Sequence, residues 1–289
     1  MNMKKARIIF RTIAVIGVVT TCFGFFYYCN NDDNLNVSSY QCVSEKYTGN
    51  EDFRIVQLSD FHNHSLKYSN AELVQQILDL KPHVIVCTGD FIDNHTRDFS
   101  MLQNLVASWK EKGIPMYYVD GNHERKAPDE ITNKEHDIFD SWGKNLYKSP
   151  VDLKNGIVLS GVRDPGSKKH FEGPYFKPYE GDVPDQLSEL EATFNEAKFN
   201  IMLCHRPDLF HLVAKKGYDL TYSGHTHGGQ VLLGSWAIAV YPWTEYIAGD
   251  YSEGLSRLLV SRGLGTSYNL PVRYHCKAEI VLTTIKKKA

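Results

Sequence analysis

The chain has 289 residues, enough for one large domain or two small ones with a sizeable core. Lys plus Arg (32) nearly balance Asp plus Glu (34), leaving a formal charge of −2, whereas a dedicated duplex nucleic-acid binder carries a clear basic excess. With 42% hydrophobic and 12% aromatic residues, and with 21 Gly, 11 Pro and 6 Cys, the composition excludes acidic disordered, collagen-like and disulfide-scaffold chains.

The first predicted element is a membrane span. Thr12 to Tyr28 carries no charge, and Ile8, Ile9 and Phe10 extend it across Arg11. The uncharged part alone falls slightly short of a ~30 Å hydrocarbon core at about 1.5 Å per residue. Arg11 can snorkel, and Phe25 to Tyr28 suit the far interface. No A-x-A-like cleavage site follows, and Thr20-Thr21 is a poor approach to a lipidated Cys22, so an uncleaved signal-anchor over 12–29 is the expectation. Lys4, Lys5, Arg7 and Arg11 precede the span while Asp32 and Asp33 follow it, which places 1–11 in the cytoplasm and the rest outside. Residues 30–50 read as a linker and lead-in, and 51–289 as the folded domain. An exterior location would permit Cys42 and Cys276 to pair; Cys87 and Cys204 lie in apolar runs and read as small buried hydrophobes.

Past the linker, short β-rich runs alternate with helical patterns, an α/β signature. Phe53–Leu58 leads into Ser59-Asp60-Phe61-His62, and His83–Thr88 into Gly89-Asp90-Phe91-Ile92-Asp93. Between them Ala71, Leu73, Val74, Ile77 and Leu78 form a helical face, with Asn70 as a cap and Pro82 as a stop. Met101 to Lys112 is a second predicted helix. Pro115–Val119 leads into Asp120-Gly121-Asn122-His123-Glu124, and Phe199–Cys204 ends at His205. Pro207 to Lys216 is a third predicted helix, after which Tyr218–Ser223 leads into Gly224-His225-Thr226-His227-Gly228-Gly229-Gln230. Residues of metal-ligand type therefore collect at strand C-termini, where open α/β sheets bind ligands.

One histidine at a strand end is ordinarily a hydrogen-bonded structural residue. Five, with three Asp and one Asn, point instead to metal, because apposed carboxylates must be neutralised or shifted in pKa. Mixed imidazole and oxygen donors suit Mn, Fe, Zn or Co. A bridging Asp can hold two such ions about 3.5–4 Å apart, so that the water between them ionises near neutral pH and attacks phosphorus in line.

The blocks Asp60-x-His62, Gly89-Asp90-x-x-Asp93, Gly121-Asn122-His123-Glu124, His205 and Gly224-His225-x-His227, in that order, resemble the calcineurin-like metallophosphoesterases. The Gly-His-Thr-His-Gly-Gly-Gln block, with 259–265, Arg273 and 279–282, is similar to a bacterial branch carrying a membrane or export segment. The resemblance implies two packed mixed β-sheets flanked by helices. It implies Asp60, His62 and His227 at a first divalent metal, Asp90 as bridge, and Asn122, His205 and His225 at a second. His123 would protonate the leaving oxygen and Asp93 would orient it. The expected activity is hydrolysis of a phosphate monoester, diester or pyrophosphate, with lipid-linked substrates attractive for an anchored enzyme. Asn94-His95 replaces the Arg-Gly that follows in Ser/Thr protein phosphatases, which disfavours a phosphoprotein substrate.

His95, Arg125 and Arg206 adjoin ligand motifs and are candidates for substrate contact, against plain exposure or surface ion pairing. His64 is a similar candidate, while Arg163 and Arg262 are weaker ones. Asp120 reads as exposed or as a partner behind the ligands. Trp236 to Tyr251 reads as core and sheet edge, with a lipid-facing role for Trp236, Trp243 and Tyr246 as the alternative. Competing functions are a metal-dependent sensor without turnover, which would not need Asp93 and His123, and a nuclease or phosphodiesterase of the same family. A metallo-β-lactamase-like site is disfavoured because its His-x-His-x-Asp-His block is absent, as Gly228-Gly229 follow His227.

Overall fold

A computed structural model describes residues 13–22, 24, 35–63, 68–166, 180–234, 236–237, 244–266, 270 and 272–288. Two six-stranded mixed sheets form its centre. The first uses β1 (Asn36–Ser44), β2 (Phe53–Leu58), β3 (Val84–Cys87), β4 (Met116–Tyr118), β5 (Lys144–Asn145) and, from the far end of the chain, Glu279–Lys287. The second uses β6 (Val151–Asp152), β7 (Ile157–Val162), β8 (Phe199–Cys204), β9 (Leu220–Ser223) and the strands Gly249–Glu253 and Ser256–Val260. A hairpin of β10 (Leu232–Leu233) and β11 (Trp236–Ala237) precedes that pair, so the last three strands are β12, β13 and β14 in chain order. Sheet orders are β1-β14-β2-β3-β4-β5 and β12-β13-β9-β8-β7-β6.

Near-continuous apolar runs form β2, β3, β8 and β9 because both faces of each strand are covered. Ile55, Val84 and Val86 of the first sheet meet Leu159, Ile201, Leu203, Leu220 and Tyr222 of the second. The alternate residues Val56, Leu58, Ile85 and Cys87 face outward onto α1 (Asn70–Asp79), α2 (Ser100–Glu111) and α3 (Asp129–Asp140), through Leu73, Ile77, Leu102, Leu105, Trp109 and Phe139. On the other side, Met202 and Cys204 pack on α4 (Val183–Leu190) and α5 (Phe210–Lys215). The sandwich of two sheets between helices agrees with the expected architecture.

Helix ends differ in detail from expectation. Ser69, not Asn70, caps α1: its hydroxyl accepts from Glu72 N–H, and the Glu72 carboxylate accepts from Ser69 N–H at 2.7 Å. The third predicted helix divides into a 3₁₀ turn at Pro207–Leu209 and α5. The helix α3 escaped the sequence reading because its buried face, Ile131, Glu135 and Phe139, includes an acid. Cys42 and Cys276 do not pair: both are free, Cys42 beside Arg257 on β1 and Cys276 hydrogen-bonded to the His227 carbonyl. Trp236 is 78% exposed, which corrects its assignment to core, whereas Tyr246 packs on Phe210 and Tyr251. Trp243 and His64 lie outside the described residues. So does part of the expected span: its described portion, 13–22 and 24, is helical, and no helix among the described residues is long and apolar enough to cross a membrane.

The sheets are tied directly beneath the ligand loops by buried Gln57. Its amide nitrogen donates to Thr88 Oγ1 at 3.0 Å and to the Ser223 carbonyl at 2.8 Å. Gln57→Leu strands both acceptors and is expected to cost about 1–3 kcal/mol in a urea titration; an unchanged midpoint would remove this brace from the account.

Candidate metal centre

Each ligand loop starts where a strand stops and must turn back sharply. Asp60, His62, Asp90, His225 and His227 all adopt positive φ, at 51°, 53°, 56°, 72° and 50°. That backbone region is unfavourable for residues with a Cβ, so its recurrence here marks strain held by the surrounding fold. The fold holds it through backbone pairing: Asp60 N–H donates to Gly89 O at 3.0 Å, His62 N–H to Asp90 O at 2.9 Å, and Gly224 N–H to His205 O at 3.0 Å. Glycines permit the close approach. A Cβ on Gly89 would lie 2.6 Å from Gly121 Cα, and one on Gly224 would strike Ser59 Oγ and Asp60 Oδ2.

The side chains converge as three overlapping groups, Asp60/His62/His227, His62/Asp90/His123 and Asp90/His205/His225, each with ligand atoms within 4.8 Å of one another. Asp90 belongs to the last two. His62 Nε2 faces His227 Nε2 at 3.1 Å, and His225 Nδ1 faces His205 Nε2 at 3.2 Å. Asp90 Oδ2 lies 3.1 Å from His205 Nε2, while its Oδ1 accepts from His123 N–H at 2.8 Å. His205 Nδ1 donates to the Thr88 carbonyl at 2.7 Å, which leaves Nε2 turned to the centre. Arg206 is gripped by Asp164 at 2.7 Å and lies 3.1 Å from His225 Nε2, while His225 Nδ1 is the nitrogen turned to His205.

Electrostatically the cluster sets buried carboxylates against imidazoles of which two are held neutral. Burial and the neighbouring Asp90 push the Asp60 carboxyl up to about 6. Burial opposes ionisation of Asp90 too, but His205, His123 and His62 outweigh it and hold that carboxyl well below the usual range. His205 rises to about 10 despite its burial, because Asp90 and Asp60 favour its charged form. Burial, reinforced by Arg206 and His205, keeps His225 neutral; burial with His62 and Arg273 does the same for His227. Neutral imidazoles are the form that donates a lone pair to a metal. The Asn122 amide oxygen and His227 Nδ1 are buried without a hydrogen-bond partner. Asn122 follows Gly121, which packs on the Asp90 carboxylate, and an orphaned amide oxygen together with carboxylates and neutral imidazoles is a donor set that fits divalent cations of the Mn, Fe, Zn and Co type.

Glu124, in the same motif as Asn122 and His123, has a structural role that the motif alone does not reveal. Its buried carboxylate accepts from Asp90 N–H (2.9 Å), Phe91 N–H (2.8 Å), Ile92 N–H (3.2 Å) and Gly121 N–H (2.8 Å), clamping two ligand loops to each other. Adjacency to Asn122 was the only signal available. Asp120 is buried rather than exposed, and its Oδ1 meets His136 Nε2 at 3.0 Å. Arg273, buried, donates to the carbonyls of Arg262 (2.7 Å), Gly263 (3.2 Å), Gly265, Cys276 and His227, and so pins the closing loop against Asp60 and His227. Of the other candidates, Asp93 accepts from His95 N–H at 2.6 Å, while His95 and Arg125 are exposed on the loops after β3 and β4.

Two outcomes test this centre. Gly121→Ala drives a methyl group into the Asp90 carboxylate, and the variant should still unfold cooperatively while losing metal by elemental analysis; full metal content would refute the close packing. Metal uptake should release protons, since the ion displaces the His205 proton, and should weaken as pH falls through about 6 and Asp60 becomes protonated. Calorimetry in buffers of different ionisation enthalpy measures both, and proton-neutral binding would contradict the assignment.

Residues 53–229 match the family model described as calcineurin-like phosphoesterase. An uncharacterized metallophosphoesterase of Aquifex aeolicus is 27% identical over 88% of this chain and 93% of its own length. The uncharacterized metallophosphoesterase YkuE of Bacillus subtilis is 31% identical over 82% of this chain and 80% of its own. A protein of Escherichia coli named phosphodiesterase YaeI is 24% identical over 97% of this chain and 98% of its own. On the family-model match and the YkuE likeness together, the chain belongs to the calcineurin-like phosphoesterase family.

Proposed function

We propose that the protein is a membrane-anchored, dinuclear-metal phosphoesterase whose catalytic domain faces outward, in the branch marked by the Gly-His-Thr-His-Gly-Gly-Gln block. The observation that carries the dinuclear reading is the sharing of Asp90. One of its oxygens faces His205 in the Asp90/His205/His225 group, and the same residue completes a group with His62, itself paired with Asp60 and His227. Asp60, His62, Asp90 and His227 would hold one ion, and Asp90, Asn122, His205 and His225 the other. Bound there, divalent ions would supply Lewis-acid charge to phosphoryl oxygens and lower the pKa of a water nucleophile.

The remaining work falls to the chain itself. His123 is half-buried, fixed by its backbone N–H on Asp90, with its ring edge-on to His62 at a centroid distance of 4.6 Å. That partial exposure at the rim of a buried cluster suits a general acid that hands a proton to the departing oxygen. Asp93 is read as the residue that orients His123. Arg206, already held by Asp164 and His225, acts on the ligand shell, which leaves His95 and exposed Arg125 as contacts for substrate oxygens. The name phosphodiesterase on the Escherichia coli relative supports an ester substrate, with pyrophosphate as a further class. Location favours a lipid-linked substrate, and the charge balance disfavours duplex nucleic acid. Anchoring rests on the uncharged stretch Thr12–Tyr28 and its flanking charges.

The deciding experiment assays the full chain, loaded with Mn, Fe, Zn or Co, on p-nitrophenyl phosphate, its bis-ester and pyrophosphate. His123→Ala should retain metal and lose about 10²–10⁴-fold in kcat, whereas Asp90→Asn should lose metal and turnover together. Metal loss in His123→Ala would make that histidine a ligand, and metal without turnover in the wild type would favour a sensor. A reporter that is active only outside the cytoplasm, fused after Asn36, should be active; an inactive fusion would overturn the topology.

A further inference from the structure

The strand register decides which edge of the domain the anchor enters. β2 ends at Leu58, two residues before Asp60, so the ligands lie beyond its C-terminal end. β14 runs antiparallel to β2 with Val281 opposite Gln57, which puts its first residue, Glu279, level with the ligands. Consistent with this, Glu279 N–H donates to the Gly263 carbonyl at 3.0 Å, and Gly263 lies against Asp60. β1 is parallel to β14 with Asn36 opposite Glu279. The chain therefore enters the fold at the metal edge. Only residues 30–35 separate the apolar stretch from Asn36, and extended they reach at most about 20 Å.

The same edge carries an apolar tip. Directly after His227, the β10–β11 hairpin is fastened at its base: Leu232 N–H donates to the Tyr274 carbonyl at 2.9 Å, and Ala237 packs on Gly229. Leu233 and Trp236 are paired across the hairpin and point outward, 53% and 78% exposed. No charged residue occurs from Gly228 to Thr244. An indole beside an aliphatic side chain on an uncharged, well-fastened tip suits the headgroup region of a bilayer.

From these two observations we propose that the metal edge faces a phospholipid bilayer, with Leu233 and Trp236 seated in its interface. The centre would then take amphipathic phosphate esters whose apolar part stays in the lipid phase. The inference rests on the anchoring proposed above. A tether entering at the opposite edge would have turned the ligands away from the lipid.

The test uses the full chain reconstituted in phosphatidylcholine vesicles, with and without acyl chains brominated near the headgroup. Brominated lipid should quench part of the tryptophan emission, and Trp236→Phe should abolish that part while turnover of p-nitrophenyl phosphate stays at the wild-type level. Flotation after carbonate extraction is measured on the same samples. Equal fractional quenching of wild type and Trp236→Phe, in a chain that floats, overturns the docking proposal and leaves the anchor standing; a tip covered by a second copy of the chain gives this result. Failure to float overturns the anchor and the proposal together. Quenching without turnover of any ester supports the docking and counts against the phosphoesterase reading alone.

Discussion

Two carboxylates, Asp60 and Asp90, are buried side by side among imidazoles at the meeting of two sheets, and much of the molecule exists to keep them there. Burial disfavours the charge of both, and Asp90 adds to this at Asp60, so the arrangement holds only where cations or protons compensate. Part of the compensation comes from His205, drawn toward its charged form by both acids. Divalent cations would be a better counterweight, because they could take up both carboxylates and the neutral His225 and His227 together. The charge balance of these buried acids thus favours metal binding.

Keeping the acids apposed requires a rigid frame. Gln57 joins the sheets below, Glu124 clamps the loops after β3 and β4 through four backbone N–H groups, and Arg273 gathers the carbonyls of the closing loop. All three are buried polar side chains that bond mainly to backbone, so they fix loop positions rather than contribute chemistry. The left-handed backbone at Asp60, Asp90 and His225 is the cost of turning each ligand back over its own strand end. Close glycine contacts at 89, 121 and 224 make those turns geometrically possible.

Polarity of the strands links this centre to its surroundings. Because β2, β3, β4, β8 and β9 are paired in parallel within their sheets, each sheet presents its ligand-bearing ends along one edge, and the two edges coincide. β1 begins at that edge only because β14 reverses direction beside β2. The metal-type residues and the start of β1 lie at the same edge through one topological choice.

The ligand blocks were legible in the sequence because each combines an apolar β-run with a short motif of metal-type residues. The strands at 53–58 and 199–204 followed from local apolar β-rich runs and the helix from Asn70 from its periodicity. The short strands β5, β6, β10 and β11 were not legible, since two residues carry no period, and α3 was hidden by the acid on its buried face. Residue types and order therefore determined the chemistry the chain can support. Only the tertiary structure decided which nitrogen of His205 and His225 turns inward, that Glu124 is a clamp, that Cys42 and Cys276 stay apart, and that Trp236 is exposed. Those outcomes depend on contacts between segments remote in the chain, which local pattern cannot encode because its period describes one element at a time.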